Sequence, residues 1–402
     1  MLTDHDKLKN FDLQSFLNDT AKHNIFRLKK EYGSLGPVLA DQLLLYKKAT
    51  LKLPFFAEKY CFFTKKSFEQ SSSERAAIYK SSLFSGGKML DLTGGLGTDD
   101  WSFSKSFKKI ISIDKDPGLN ELVKINFEKI DIKNVTRLDA DAYEYIKADN
   151  SFDLVYIDAD RRGSAKKAVT LDSSEPNVLL ILDRLFELTS IVLLKLSPLI
   201  DIIYLCKTLP GIKDIHVVSI DNEVKETLTI LQREHSGQTT VNAVDLIKDK
   251  PNRIFSSITG KQTKTEISDE GQYFYEPSGS LIKAGLVNEY AAANGLNTVS
   301  HNSVFVTGNE YVNDFIGRIF IVISRIEFSK SVIKKYLKDN SITKANVSCR
   351  NFPVKEDEIK KLFGLRDGGE NYLFFTTGKD KQKLMYHCRK ERISSNDSIV
   401  TG

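Results

Sequence analysis

Two patterns of apolar positions divide the chain. Its first seventy or so residues carry apolar side chains at steps of three and four. Further on, such stretches alternate with short continuous apolar runs. In residues 1–70, "LQSFLND", "NIFRLKKEYG" and "VLADQLLLYKKATL" have the helical period. Gly36–Pro37 and Leu53–Pro54 punctuate them. The serines at 71–73 ahead of Glu74 predict an N-cap for a helix over "ERAAIYKSSLF", stopped at Ser85–Gly86–Gly87. Then come "KMLDL", "KKIISID", "NVTRLDAD", "SFDLVYIDAD" and "SIVLLKLS", runs of strand length that end in acidic or small residues. Helical segments such as "LNELVKINFEKI" lie between them. This alternation predicts an α/β fold, a doubly wound parallel sheet with helices on both faces.

Two more strands, "VKETLTIL" and "TTVNAVDLI", flank "QREHSGQ" and are expected to pair antiparallel at the sheet edge. The polar stretch "KDKPNR" marks the end of this domain near residue 248. Residues 270–330 read as a small α+β unit: "GQYFYEP", a helix from Leu281 to Ala293, "SVFVTG" and "RIFIVISRIEF". Residues 331–402 read as another, with helix "VIKKYLKDN", strand "KANVSCR", helix "VKEDEIKKLFG" and paired strands "ENYLFFTTG" and "KLMYHCRK". The expected divisions are therefore 1–70, 71–248, 270–330 and 331–402. The last few residues are polar and expected to fray.

Composition narrows the class. With 402 residues, 41% hydrophobic and 28% charged, the chain is long enough for two to four domains and a large core. Its most apolar region, 178–206, is broken by Asp183, Arg184, Glu187, Lys195 and Asp201, which argues against a membrane span. The polar start "MLTDHDKLKN" is unlike a secretory leader. Cys61, Cys206, Cys349 and Cys388 are scattered and read as reduced structural thiols of a cytoplasmic protein. Neither they nor the histidines cluster, so no metal site is expected. The formal charge of +5 is uneven: residues 1–70 carry +4, residues 331–402 carry +6, and the middle −5. Basic ends around an acidic centre suit a cofactor-binding core between nucleic-acid-binding ends, and also an ordinary lysine-rich surface.

The chemistry concentrates in "DLTGGLGTDD", behind the first strand. Glycine loses the most backbone entropy on ordering, so Gly94, Gly95 and Gly97 need a sharp turn or a close ligand. The third small residue of a dinucleotide fingerprint is missing, and there is no P-loop pattern. Asp91 opens the loop and Asp99 and Asp100 close it. Carboxylates would repel a pyrophosphate and suit a cationic ligand. The loop resembles motif I of class I S-adenosylmethionine-dependent methyltransferases, with Thr93 where a first glycine often stands. That resemblance implies S-adenosylmethionine as cofactor, held at Asp91, Thr93, Gly94, Gly95 and Gly97. It implies that Asp114, ending "IISID", meets the ribose hydroxyls and that Asp141, in "DADAYEYI", meets the adenine amino group. Asp139 is the alternative to Asp141 two residues away. Each acid ends its own strand, where a turn or cap role is the ordinary alternative.

After the fourth strand comes "YIDADRRG", where these enzymes place the methyl acceptor. It lacks the proline and aromatic slot of base-amine methyltransferases. It is also somewhat like the D-P-P-R-x-G of pyrimidine C5 enzymes, but "LLKLSPLID" offers no cysteine nucleophile. Direct displacement at the methyl group remains, which needs alignment above all. Asp158 or Asp160 can orient or deprotonate an acceptor. Arg161 and Arg162 can hold a phosphate or stack on a base. Lys195 and Ser197 end the fifth strand at the same cleft. A capping role for Asp158 and a surface role for the arginines are the plain alternatives.

"KLPFF", "EQSSSERAAIYK", "DLTGGLGTDD", "DADRR", "KLSPLID", "YFYEPSGSLIKAG" and "ANVSCRNFP" follow one another as in bacterial class I methyltransferases with a C-terminal THUMP-like domain. The resemblance spans nearly the whole chain. It implies a Rossmann-like core behind an N-terminal helical region, then a ferredoxin-like and a THUMP-like unit. THUMP domains proper bind tRNA or rRNA, so the resemblance implies an RNA partner. The +6 charge of residues 331–402 agrees with a phosphate-facing surface, as do Lys344, Arg350 and Arg389 on or beside expected strands. In this group strand four often ends D-P-A-R-R, so the role of Asp160 is open. A binding protein that keeps the fold without methyl transfer, and a methyltransferase for a non-RNA acceptor, are the competing readings. The RNA, the modified atom and the oligomeric state stay open.

Overall fold

Residues 4–19, 27–161, 170–261, 263–301 and 303–390 are described by the computed structural model. The chain divides into two units, Met1–Ile215 with Glu226–Gly237 and His216–Lys225 with Gln238–Gly402.

In the first unit, helices at Leu13–Asn18 and Leu28–Tyr32 precede α1 (Gly36–Lys52), α2 (Pro54–Glu58), α3 (Lys65–Gln70) and α4 (Glu74–Ser82). Ser73 caps α4 as expected, its side chain accepting from the Ala76 N–H. The alternation follows: β1 (Gly86–Asp91), α5 (Thr98–Phe103), β2 (Phe107–Asp114), α6 (Pro117–Lys129), β3 (Val135–Asp139), α7 (Ala142–Tyr145), β4 (Leu154–Asp158), α8 (Val178–Leu188), β5 (Ile191–Leu196) and α9 (Ile202–Thr208). Then β6 (Ile212–Ile220) carries the chain out of this unit and β7 (Glu223–Gln232) returns it.

Strand β1 pairs in parallel with both β2 and β4, β2 with β3, and β4 with β5, while β7 runs antiparallel to β5. The order in this unit is β7-β5-β4-β1-β2-β3. Its direction reverses between β1 and β4, so their carboxyl ends open a crevice side by side.

Burial explains the elements. Strand β4 is covered on both faces, as a central parallel strand must be. Helix α8 turns Val178, Ile181, Leu182, Leu185 and Leu188 into the core under β4 and β5. On the other side, Phe56 of α2 and Phe62 and Phe63 of the α2–α3 connection pack with Trp101 of α5 and with Leu122 and Ile125 of α6. Asn126 fastens this layer, giving a 2.8 Å bond to the Phe62 carbonyl and taking a 2.7 Å bond from its N–H. The buried carboxylate of Glu74 caps α2, accepting from the backbone N–H groups of Phe55 and Phe56.

In the second unit, β8 (Thr240–Leu246) and β9 (Arg253–Ile258) form an antiparallel pair. After them come β10 (Tyr273–Pro277), α10 (Gly279–Ala284), α11 (Val287–Ala293), β11 (Asn297–Thr298), β12 (Val306–Gly308), β13 (Gly317–Glu327), α12 (Lys330–Asp339), β14 (Asn346–Cys349), α13 (Glu356–Phe363), β15 (Asn371–Thr377) and β16 (Lys383–Lys390). Seven of these strands make one sheet, ordered β11-β12-β10-β13-β16-β15-β14.

Four details depart from the sequence reading. The expected pairing of "VKETLTIL" with "TTVNAVDLI" does not form: β7 pairs with β5 and β8 with β9. The stretch "KDKPNR" connects the β8–β9 pair, with Asp249 at positive φ, and strand continues beyond it. The helix expected from Leu281 to Ala293 is two helices, because Gly285 adopts a left-handed conformation (φ 72°) that ends α10. The α+β segments at 270–330 and 331–402 share a sheet, since β13 is long enough to pair with β10 near its start and with β16 beyond it.

Candidate functional site

The loop at 92–97 leaves β1 at the crevice, and its three glycines answer to three causes. A Cβ on Gly94 would lie 1.9 Å from Nη1 of Arg137 and 2.4 Å from Oγ of Ser112, so this backbone rests on a buried guanidinium. A Cβ on Gly97, which has φ +77°, would meet the Phe127 ring at 2.6 Å. Gly95 is different. Its φ is +47°, and an added Cβ would find nothing closer than the Thr93 carbonyl oxygen at 3.7 Å. Two glycines therefore serve packing, and Gly95 alone leaves open backbone where a ligand can come close. Gly97→Ala is expected to destabilise the protein by about 2 kcal/mol through left-handed strain alone. Urea unfolding checks this, and an unchanged midpoint would refute it.

The carboxylates after the strands are engaged in different ways. Asp91 is buried, and its Oδ1 accepts from the Thr93 N–H (2.7 Å) and the Thr93 hydroxyl (3.1 Å). Burial, reinforced by Asp100, pushes its carboxyl well above the ordinary range. Asp100 is fully buried, and its Oδ2 accepts from Ser112 (2.6 Å) and from Nη1 of Arg137 (3.1 Å). Asp114, at the end of β2, accepts from the N–H groups of Gly95 (3.0 Å) and Asp116 (2.9 Å). Asp139 accepts from Nδ2 of Asn120 at 2.7 Å. Asp141 caps α7, accepting from the N–H groups of Tyr143 and Glu144.

Across the crevice, the backbone N–H of Asp158 donates to the Thr93 hydroxyl at 2.7 Å, tying the end of β4 to the glycine loop. The Asp158 carboxylate pairs with Nζ of Lys195 on β5. These side chains keep 31% and 13% of their exposure, so both reach solvent. Burial lifts the Asp158 carboxyl above its ordinary value, with Lys195 opposing. Burial works against the Lys195 ammonium, but Asp158, Glu226 and Asp99 together hold it above its ordinary value.

Beneath this pair lies a closed set of charges. Lys80 has no exposed surface and contacts Glu226 (2.8 and 3.0 Å), Ser72 (3.0 Å) and Asp99 (3.2 Å). Asp99 also accepts from Ser72 (2.9 Å) and the Tyr156 hydroxyl (2.8 Å). Burial would raise the Asp99 carboxyl, and Lys80, Lys195, Tyr156 and Ser72 outweigh it, so the net direction is downward.

The first unit thus brings Asp91, Thr93, Gly94, Gly95, Gly97, Asp114, Asp158 and Lys195 to one crevice. Ser197 follows β5, and its hydroxyl accepts from the Leu199 N–H. Asp160 and Arg161 form a two-residue strand against Ser174 and Glu175, described in backbone only, and Arg162 lies outside the described residues. Lys344 and Arg350 are exposed near the two ends of β14 in the second unit. Arg350 borders a cavity of about 340 Å³, with Phe352, Val354 and Lys355 among its walls. Among the described residues no cluster could hold a metal ion, and no helix is long and apolar enough to cross a membrane.

Sequence reasoning passed over Lys80, Arg137, Tyr156 and Glu226. A signal existed for Lys80, which stands four residues after Ala76 on the buried stripe of α4. A charge on such a stripe calls for a partner. Arg137 and Glu226 likewise interrupt otherwise strand-like runs.

Residues 317–390 match a family model described as "THUMP domain-like". Two Mycobacterium tuberculosis proteins, from strains H37Rv and CDC 1551, carry the name "uncharacterized S-adenosylmethionine-dependent methyltransferase". Each is 21% identical over 380 residues, 91% of this chain and all of theirs. A crystallised protein from Porphyromonas gingivalis W83, named as a methyltransferase, is 28% identical. That match covers 98% of this chain and 100% of the other, with a TM-score of 0.84.

Proposed function

We propose that the chain is an S-adenosylmethionine-dependent methyltransferase of the group that carries a THUMP-like domain at the C-terminus, and that its methyl acceptor is structured RNA. The Asp158–Lys195 pair, tied through Thr93 to the glycine loop, carries the catalytic part of this reading.

The cofactor fits the residues present. Gly95 offers uncovered backbone, and the half-buried carboxylate of Asp114 accepts from the backbone N–H groups of Gly95 and Asp116, an acceptor that suits a ribose diol. Asp91 acts one step behind, bracing Thr93. Asp139 or Asp141 would meet the adenine. When bound, the cofactor supplies an electrophilic methyl group on a sulfonium. Asp158 would accept the proton that leaves the acceptor atom as its new bond to the methyl carbon forms and the methyl–sulfur bond breaks, the electron pair leaving with sulfur as a neutral thioether. Lys195 keeps that carboxylate ionised and in place.

The RNA part rests on the THUMP-like match and on the +6 charge of residues 331–402. Lys344 and Arg350 in the second unit, with Arg161 and Arg162, are the proposed phosphate contacts. A binding protein without methyl transfer is the second reading, favoured by "DADRR" in place of the group's usual strand-four ending.

Tritium transfer from labelled cofactor to total RNA separates the two. RNA from a strain lacking the gene is the substrate, and RNA from the parent strain is the blank. Label confined to the deletion-strain RNA is the expected result. If no label appears while calorimetry detects cofactor binding, the RNA methyltransferase reading fails.

A further inference from the structure

Arg137 sits in the middle of β3 and its side chain has no exposed surface. Its guanidinium is shared among four partners. Nε donates to Oδ1 of Asn120 (3.0 Å), and Nη1 donates to Asp100 (3.1 Å) and Ser112 (3.0 Å). Nη2 reaches the carbonyl oxygen of Gly95 at 2.9 Å. Asn120 passes the connection on, donating to the Asp114 carbonyl (2.8 Å) and to the Asp139 carboxylate (2.7 Å).

Gly95 is therefore held from both sides, at its N–H by Asp114 and at its carbonyl by Arg137. The two holds differ in kind. Asp114 is also the group placed to bind a diol, and a carboxylate that turns to a ligand gives up part of its grip on the loop. Arg137 is sealed inside and has no ligand to turn to. A lysine could not replace it, because one ammonium cannot span partners set around a planar fork.

We infer that Arg137, oriented by Asn120, is the positioning residue that fixes the Gly95 peptide for cofactor binding and frees Asp114 to engage the ribose. This rests on the cofactor reading above. It assigns to a buried arginine of β3 a role in affinity, where burial alone would suggest only stability.

The test is calorimetric titration of S-adenosylhomocysteine into the full chain and into Asp114→Asn, Arg137→Lys and the double variant, with urea unfolding of each. Arg137→Lys is expected to weaken binding by about tenfold, the size of one lost hydrogen bond to a charged group. Because both residues hold one peptide, the double variant should lose less than the product of the single losses. Should Arg137→Lys fail to fold, Asn120→Ala gives the same readout, with binding about threefold weaker. Unchanged affinity beside lowered stability would overturn the inference, and so would losses that simply multiply. A wild-type chain that binds no S-adenosylhomocysteine would instead overturn the cofactor reading on which the inference stands.

Discussion

Lys80→Met should remove about 3–5 kcal/mol of folding stability, because it strands a buried carboxylate. Methionine keeps the unbranched length of lysine, so packing changes little. The charge balance changes a great deal. Glu226, with a side chain only 3% exposed, loses the cation 2.8 Å away, and Asp99 loses one at 3.2 Å. Such a loss is a large share of the roughly 5–15 kcal/mol that holds a domain folded. The pair itself need not be stabilising, since taking both ions out of water is costly. Lys80→Met with Glu226→Gln is therefore expected to recover much of the lost urea midpoint. A double variant that loses as much as the two single variants together would show that the two residues are not energetically coupled.

The second large effect falls on chemistry. Asp158→Asn should lower methyl transfer by about 100- to 1,000-fold, the range of a lost general base. Affinity for S-adenosylhomocysteine should hold, because the Asp158 contact to the glycine loop is made by its backbone N–H. The pH profile gives a sharper test. As the proposed base Asp158 would work ionised, and burial lifts its carboxyl above the ordinary value, so activity should fall as pH drops through that raised value. The acidic limb should lie above the usual carboxylate range and should vanish in the asparagine variant. A limb that survives the substitution would assign the proton to another group.

Much of the first unit could be read from the sequence, for a physical reason. Strands β1 to β4 are short runs that end in Asp91, Asp114, Asp139 and Asp158 where the sheet opens, so periodicity and punctuation mark both strand and crevice. Strand β6 was passed over because Lys213, Asp214 and His216 interrupt its apolar run. Strand β9 was missed because it follows Pro251 and alternates half-buried and exposed residues. In the site, the glycine loop was legible as a unit, but not the division of labour within it. That division depends on Arg137 and Phe127, which reach the loop from β3 and α6. Lys80 and Glu226 stand 146 residues apart, and no local pattern joins them.

The sharing of β13 bears on how this protein can be cut. The family match begins at Gly317, the first residue of that strand. A fragment starting there would lose β10, which bonds to β13 over residues 317–321, and with it Phe274, whose ring lies 4.6 Å from those of Phe374 and Tyr386. The severed edge would offer unpaired backbone beside exposed aromatic rings, the conditions for self-association. A test of the proposed RNA binding should keep residues 270–390 together, so that an insoluble fragment is not mistaken for a domain that cannot bind.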